Sequence, residues 1–239
     1  MEHAVGPVDL PGLSIDLPTA ELRDPLEFDA MRRIPARARS LMRAPRACPD
    51  MQRVSVIINA YTAGRFDDLI EAIGAVGAQT HRAVELIVVI DGDPLLAESL
   101  RAHAVASMID EIVELPENRG NSASRNAGAA SASGDIIAFT DDDAVPDPGW
   151  VAGLLAVYAQ MDAVAVGGRV VPRWVEPAPA WFPDEFLWLV GCMRPGFARH
   201  LSEVRNTYGP NISFRRSVFE ELGGFSAEVG RQGTKQIQA

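Results

Sequence analysis

From residue 54 onward the chain alternates solid apolar runs with stretches that are apolar on one side only. "VSVIINA" (54–60), "VELIVVI" (84–90) and "DIIAFT" (135–140) are continuous β-rich runs, the pattern of strands covered on both faces. Between the first two, "RFDDLIEAIGAVGAQT" spaces Phe66, Leu69, Ile70, Ile73 and Val76 along one helical face. "PLLAESLRAHAVA" predicts a second helix with Pro94 at its start, "EIVELP" a short strand, and "NSASRNAGAASAS" a helix of small residues. Beyond Trp150, "PGWVAGLLAVYAQ" reads as a helix and "DAVAVGGRVV" as one strand. "PRWVEPAPAWFPDEFLWLVGC" is an aromatic, proline-rich segment. "GPNISFRRSVFEELGGF" is a turn or strand followed by a short helix with Gly223 and Gly224 past its end. Strands alternating with helices imply right-handed crossovers and a mainly parallel, Rossmann-like sheet flanked by helices.

In such sheets ligands bind outside the carboxyl ends of the strands. Three polar clusters fall at those ends: Asn59 to Thr62, Asp91 with Gly92 and Asp93, and Asp141 to Asp143. The last cluster is the unusual one. At an effective dielectric near 20, two carboxylates roughly 4 Å apart repel by about 4 kcal/mol. A surface turn escapes that by splaying them into water, and a cleft by holding a cation or raising their pKa values. The position at a strand end favours the cleft. Asp141 and Asp143 form a DxD spacing, sufficient for a hard cation such as Mg²⁺ or Mn²⁺ shared with substrate phosphates.

Composition narrows the function classes. A formal net charge of -10 over 239 residues argues against nucleic acid as a partner, which needs clustered Lys and Arg. Cys48 and Cys192 lie in no metal-like or CxxC spacing, and the four histidines are scattered, so neither a disulfide framework nor a zinc site is expected. No apolar run approaches a membrane span, and the acidic, proline-broken amino terminus is unlike a signal peptide, so a cytoplasmic protein is expected. The first fifty residues differ from the rest. "MRRIPARARSLMRAPR" carries six arginines and no acid, and the stretch from Arg32 to Arg46 is a candidate contact for the membrane periphery or a protein partner. Pro35 and Pro45 prevent one long amphipathic helix there, and a solvated segment is the alternative.

The segments "VSVIINAY", "QTHRAVELIVVIDGD", "NRGNSASRNAGAASASGDIIAFTDDDAVPDPGWV" and "GPNISFRRSVFEELGGF" resemble, in order and spacing, those of family 2 glycosyltransferases of the GT-A fold. The resemblance covers roughly residues 53 to 230. It implies an N-terminal extension (1–50), partly irregular, a nucleotide-sugar-binding half (51–145), and an incomplete acceptor-binding half (146–239). By position, it implies that Ala60, Tyr61 and Asp91 border the nucleotide base. Arg125 would face the nucleotide or its diphosphate, with Gly120 allowing close approach of the chain. Asp141 and Asp142 would contact ribose or sugar, and Asp143, with Asp141, would bind the metal. Asn211 and Arg215 would shape the sugar and acceptor side, and Trp181 and Trp188 could stack on a sugar or aglycone.

Other uses of the same residues stay open. Asp91 could cap the next helix, Arg125 could pair with a local carboxylate, and Trp174, Trp181, Phe182, Phe186 and Trp188 could be packing. Two positions depart from the family pattern. Ile90 replaces the first of two acids usual at the end of the second strand, and Glu228 sits too close to "GGF" to be the family's acidic pair, so the general base is expected beyond Ala239. The implied activity is inverting, metal-assisted transfer of a sugar from a UDP- or GDP-sugar donor to a hydroxyl acceptor. A non-catalytic nucleotide-sugar-binding module, or a truncated inactive fragment, is the alternative. A nucleotidyltransferase would need a lysine-containing phosphate loop after the first strand, and "NAYTAGRFDD" has no lysine.

Overall fold

The computed structural model describes residues 2–5, 52–179, 181–193, 201–204, 207–226, 230–232 and 235–237. The arginines from Arg32 to Arg46, Cys48, Glu228 and Ala239 lie outside these residues. The strands that matter below are β1 (Glu2–Val5), β2 (Val54–Ala60), β3 (Val84–Asp91), β4 (Glu111–Leu115), β5 (Ile136–Asp141), β6 (Ala144–Pro146), β7 (Ala165–Gly167), β8 (Val170–Arg173) and β9 (Ile212–Arg215). The helices are α1 (Phe66–Gly77), α2 (Pro94–Ala102), α3 (Asn121–Ser131), α4 (Trp150–Gln160) and α5 (Arg216–Leu222).

A six-stranded sheet in the order β4-β3-β2-β5-β9-β7 forms the centre. β2 pairs in parallel with both β3 and β5, and β3 with β4, whereas β9 runs antiparallel to β5 and to β7. The expected mainly parallel α/β sheet is therefore present. Because side chains alternate along a strand, each strand feeds two cores. Val54, Val56, Ile58 and Ala60 face α1, α2 and α4 through Leu69, Ile73, Leu96, Leu100, Trp150 and Leu154. Ile57, Ile87, Val89, Ile137 and Phe139 face the other way, with Ala129 of α3 and Phe219 of α5. That double coverage is why the strands read as unbroken apolar runs rather than alternating ones.

"DAVAVGGRVV" is not the single strand expected. It splits at Gly168 into β7, which joins the large sheet, and β8, which joins β1 and β6 in a three-stranded sheet. The cause is local crowding: a Cβ at Gly168 would lie 2.4 Å from Asn211 Nδ2, so glycine lets the chain pass over that side chain and change sheets. α5 ends as its sequence requires, with Gly223 at φ +80 closing the last turn. Among the described residues no helix is long and apolar enough to cross a membrane.

Candidate functional site

The order of the strands fixes where a site can be. β2, β3 and β4 progress outward in one direction, and β5 returns to the opposite side of β2. The crevice outside the carboxyl ends of β2 and β5 is the point of reversal, where open α/β sheets take their ligands. Asn59 of β2 is in register with Asp141 of β5, so Ala60 and Tyr61 face the Asp141–Asp143 run across this crevice. Ala60 is buried, and Tyr61 leaves half of its ring exposed.

Two arginines balance the three aspartates. Arg125 Nη2 donates to Asp141 Oδ1 at 2.8 Å. Arg125 comes from α3, and its guanidinium lies 5.8 Å from the Phe139 ring centre and 5.6 Å from that of Phe225, so it is wedged in place. Arg65, in the single turn between β2 and α1, places one nitrogen between two carboxylates. Its Nη1 is 3.1 Å from Asp142 Oδ1 and 3.0 Å from Asp143 Oδ2. Asp142 is only 3 % exposed, and its Oδ2 is buried without a hydrogen-bond donor. Burial pushes the Asp142 carboxyl up to about 6, with Arg65 pulling against the shift and Asp143 adding to it. Burial works against the Arg65 charge as well, yet Asp142 and Asp143 together hold its guanidinium above the usual range.

Other residues singled out from sequence are placed differently. Asp91 is buried, and both of its oxygens are taken, by the Arg119 N–H at 2.8 Å and the Gly120 N–H at 2.9 Å. It clamps the loop that leads into α3, where Gly120 adopts φ +83. Asn211 is fully buried: it accepts from Trp150 Nε1 at 2.9 Å and donates to the Arg169 carbonyl at 3.1 Å, which cross-links α4 to the segment before β8. Arg215 pairs in register with Ile136 at the start of β5, the end opposite Asp141. It donates to the carbonyls of Ala163 and Tyr158, so it braces α4 instead of lining the crevice. Trp181 and Trp188 are 78 % and 54 % exposed, and the Trp181 ring meets Phe182 edge-on with centroids 5.9 Å apart.

Arg65 is the residue that sequence reasoning missed. The signal available was a lone basic residue six positions past Asn59, in a turn that any α/β reading places at the crevice. The donor set suits a hard divalent cation: all oxygen, with the buried, unsatisfied Asp142 Oδ2 among it. Among the described residues no group of three or more His, Cys, Asp or Glu could hold an ion alone.

Comparison with known proteins agrees with this geometry. The model of glycosyl transferase family 2 matches residues 55–223. A glucosyl-dolichyl phosphate glucuronosyltransferase from Haloferax volcanii is 46% identical over 190 residues, which cover 78% of this chain and 60% of that relative. The fold resembles that of a mannosyltransferase from Pyrobaculum calidifontis in complex with GDP-Man and Mn2+, with a TM-score of 0.54 at 24% identity, covering 82% of this chain and 55% of the other. S. aureus TarS 1-349 in complex with UDP gives a TM-score of 0.50 at 17% identity, covering 74% of this chain and 51% of that one. The chain thus spans between half and about three-fifths of the length of these proteins. With the sheet order, the crevice and the matched region in agreement, the chain belongs to glycosyl transferase family 2 and carries its GT-A fold.

Proposed function

We propose that this chain binds a nucleotide-diphosphate sugar in the β2/β5 crevice and serves inverting transfer of the sugar to a hydroxyl acceptor. The observation that carries this reading is the Asp141–Asp143 run at the sheet's point of reversal, with Asp142 buried and Arg65 and Arg125 already paired to the run. The half-exposed Tyr61 ring offers the base of a UDP or GDP donor a face to stack on. Asp141 and Asp142 would contact ribose or sugar, and the chain at Gly120 would approach the diphosphate. Asp143 with Asp141 would hold Mn²⁺ or Mg²⁺. When bound, that cation supplies Lewis-acid stabilisation of the leaving diphosphate.

Residues 51–145 would then form the donor half and 146–239 the acceptor half. The Haloferax volcanii relative is named for a glucosyl-dolichyl phosphate, and we extend to this chain a lipid-linked sugar as acceptor class. The exposed rings of Trp181 and Trp188 would suit such an acceptor. A cytoplasmic site at the membrane periphery is the compartment this implies. Direct displacement needs a base within hydrogen-bond reach of the attacking hydroxyl. Because the chain spans 60% of that relative, a nucleotide-sugar-binding module without transfer is the second reading.

Calorimetry with UDP and GDP, with and without Mn²⁺, tests the site. One of the two nucleotides should bind in a metal-dependent manner, and Asp143→Ala should abolish that binding while leaving the circular dichroism spectrum unchanged. Unaltered metal-dependent affinity in the variant would remove Asp143 from the site. Release of the sugar onto a glycosyl polyprenyl phosphate would separate an enzyme from a binding module.

A further inference from the structure

Of the two arginines at the acidic run, one is fixed and the other is not. Arg125 is 9 % exposed and held between Phe139 and Phe225. The Arg65 side chain is 40 % exposed, and it spans to Asp142 and Asp143 from a turn whose backbone is pinned independently. Thr62 accepts from the Gly64 N–H at 3.2 Å, and Asp93 Oδ2 accepts from the Ala63 N–H at 3.1 Å. The turn therefore stays in place while the long side chain is free to change partner. Its guanidinium also lies 5.8 Å from the centre of the Tyr61 ring, beside the surface offered to the base.

We propose that Arg65 is a resident counter-ion for the acidic run, one that releases Asp142, yields Asp143 to the divalent cation and then pairs with the donor diphosphate. The inference rests on the functional reading above and goes beyond it by assigning a role to a residue outside the acidic run. Charge counting supports it. Three carboxylates with two guanidiniums leave a formal charge of -1, counting Asp141, Asp142, Asp143, Arg65 and Arg125. A divalent cation entering with a doubly charged diphosphate leaves that sum unchanged, provided Arg65 remains in the site. A cation that takes Asp143 Oδ2 competes with the guanidinium for that oxygen, so Arg65 moves as the cation binds there. The nearest incoming anion is the diphosphate, to which a guanidinium donates in a fork geometry.

The prediction is a pair of affinities that move in opposite directions. Mn²⁺ titrations of the nucleotide-free protein, read by the loss of the free-ion EPR signal, should show tighter binding to Arg65→Gln than to the wild type, because a competing charge is gone. At saturating Mn²⁺ the same variant should bind the recognised nucleotide, UDP or GDP, about tenfold more weakly, the scale of one lost charge-assisted hydrogen bond. Arg65→Lys, a cation without the fork, should restore the wild-type Mn²⁺ affinity but only part of the nucleotide affinity. A merely structural Arg65 would lower both affinities together, and that result overturns the proposal. Wild type showing no metal-dependent nucleotide binding would sink the functional reading and this inference with it. Wild-type binding that is lost in Asp143→Ala but accompanied by unchanged Mn²⁺ affinity in Arg65→Gln would sink the Arg65 role alone.

Discussion

Asp142 shows how a single residue can work against the stability of the metal-free fold. Its ordinary carboxyl value is near 4 in an unfolded chain, and burial raises it to about 6 in the folded one. Between those values the folded state keeps a proton that the unfolded state has released. Stability therefore falls as pH rises through this window, and the penalty stays in full above it. Asp142→Asn removes the titration, so its stability relative to wild type should rise between pH 4 and pH 8 by about 2 to 3 kcal/mol in urea melts of the metal-free proteins. A pH-independent difference would show that the carboxyl is not perturbed. The same scale shows what motif position leaves open for Asn211, Arg215 and Asp91. Sequence spacing gives the neighbourhood of a side chain, but its hydrogen-bond partners come from segments far along the chain: Trp150 for Asn211, Tyr158 and Ala163 for Arg215, and the Arg119–Gly120 backbone for Asp91.

At the scale of elements, α3 depends on being narrow. It brings Arg125 to the crevice by lying close on the β2–β3 surface, and its small residues permit the approach. A Cβ at Gly128 would sit 2.6 Å from Ile57 Cγ2 and 2.9 Å from Val89 Cγ2, both on stiff β-branched side chains in strands. Gly128→Ala gains about 1 kcal/mol of helix propensity and incurs about 1 to 3 kcal/mol of overpacking. The net expectation is a lower urea midpoint and weaker nucleotide binding, as Arg125 is displaced with the helix. A stabilised variant would show that α3 has room to retreat. The helix was legible from its sequence, and so was its small-residue face. Its function as a carrier that sets Arg125 against Asp141 was not, since the pair joins an element to the strand that follows it.

Across the whole molecule, the segment after α5 is tied back to α3. Asn126 of α3 exchanges two hydrogen bonds with the Phe225 backbone, each 2.8 Å long, and the Phe225 ring packs on Phe139, Phe214 and Phe219 as well as on Arg125. Asn126→Ala should cost about 2 kcal/mol of stability, two neutral hydrogen bonds, and should loosen Arg125 enough to weaken nucleotide affinity at a site it never touches. Unchanged affinity in a destabilised variant would show that Arg125 is held by its rings alone. The sequence by itself determined the alternation of strands and helices, the double-sided burial of the sheet and the placement of Asp141–Asp143 at a strand end. Those follow from local periodicity and from the rule that connects strand ends to ligand sites. Tertiary structure alone decided the exit of β8 from the large sheet, the burial of Asn211, and the bridging of Asp142 and Asp143 by Arg65. Each of those joins residues tens of positions apart, and contacts at such separations are fixed by how packed layers meet rather than by the pattern within any one segment.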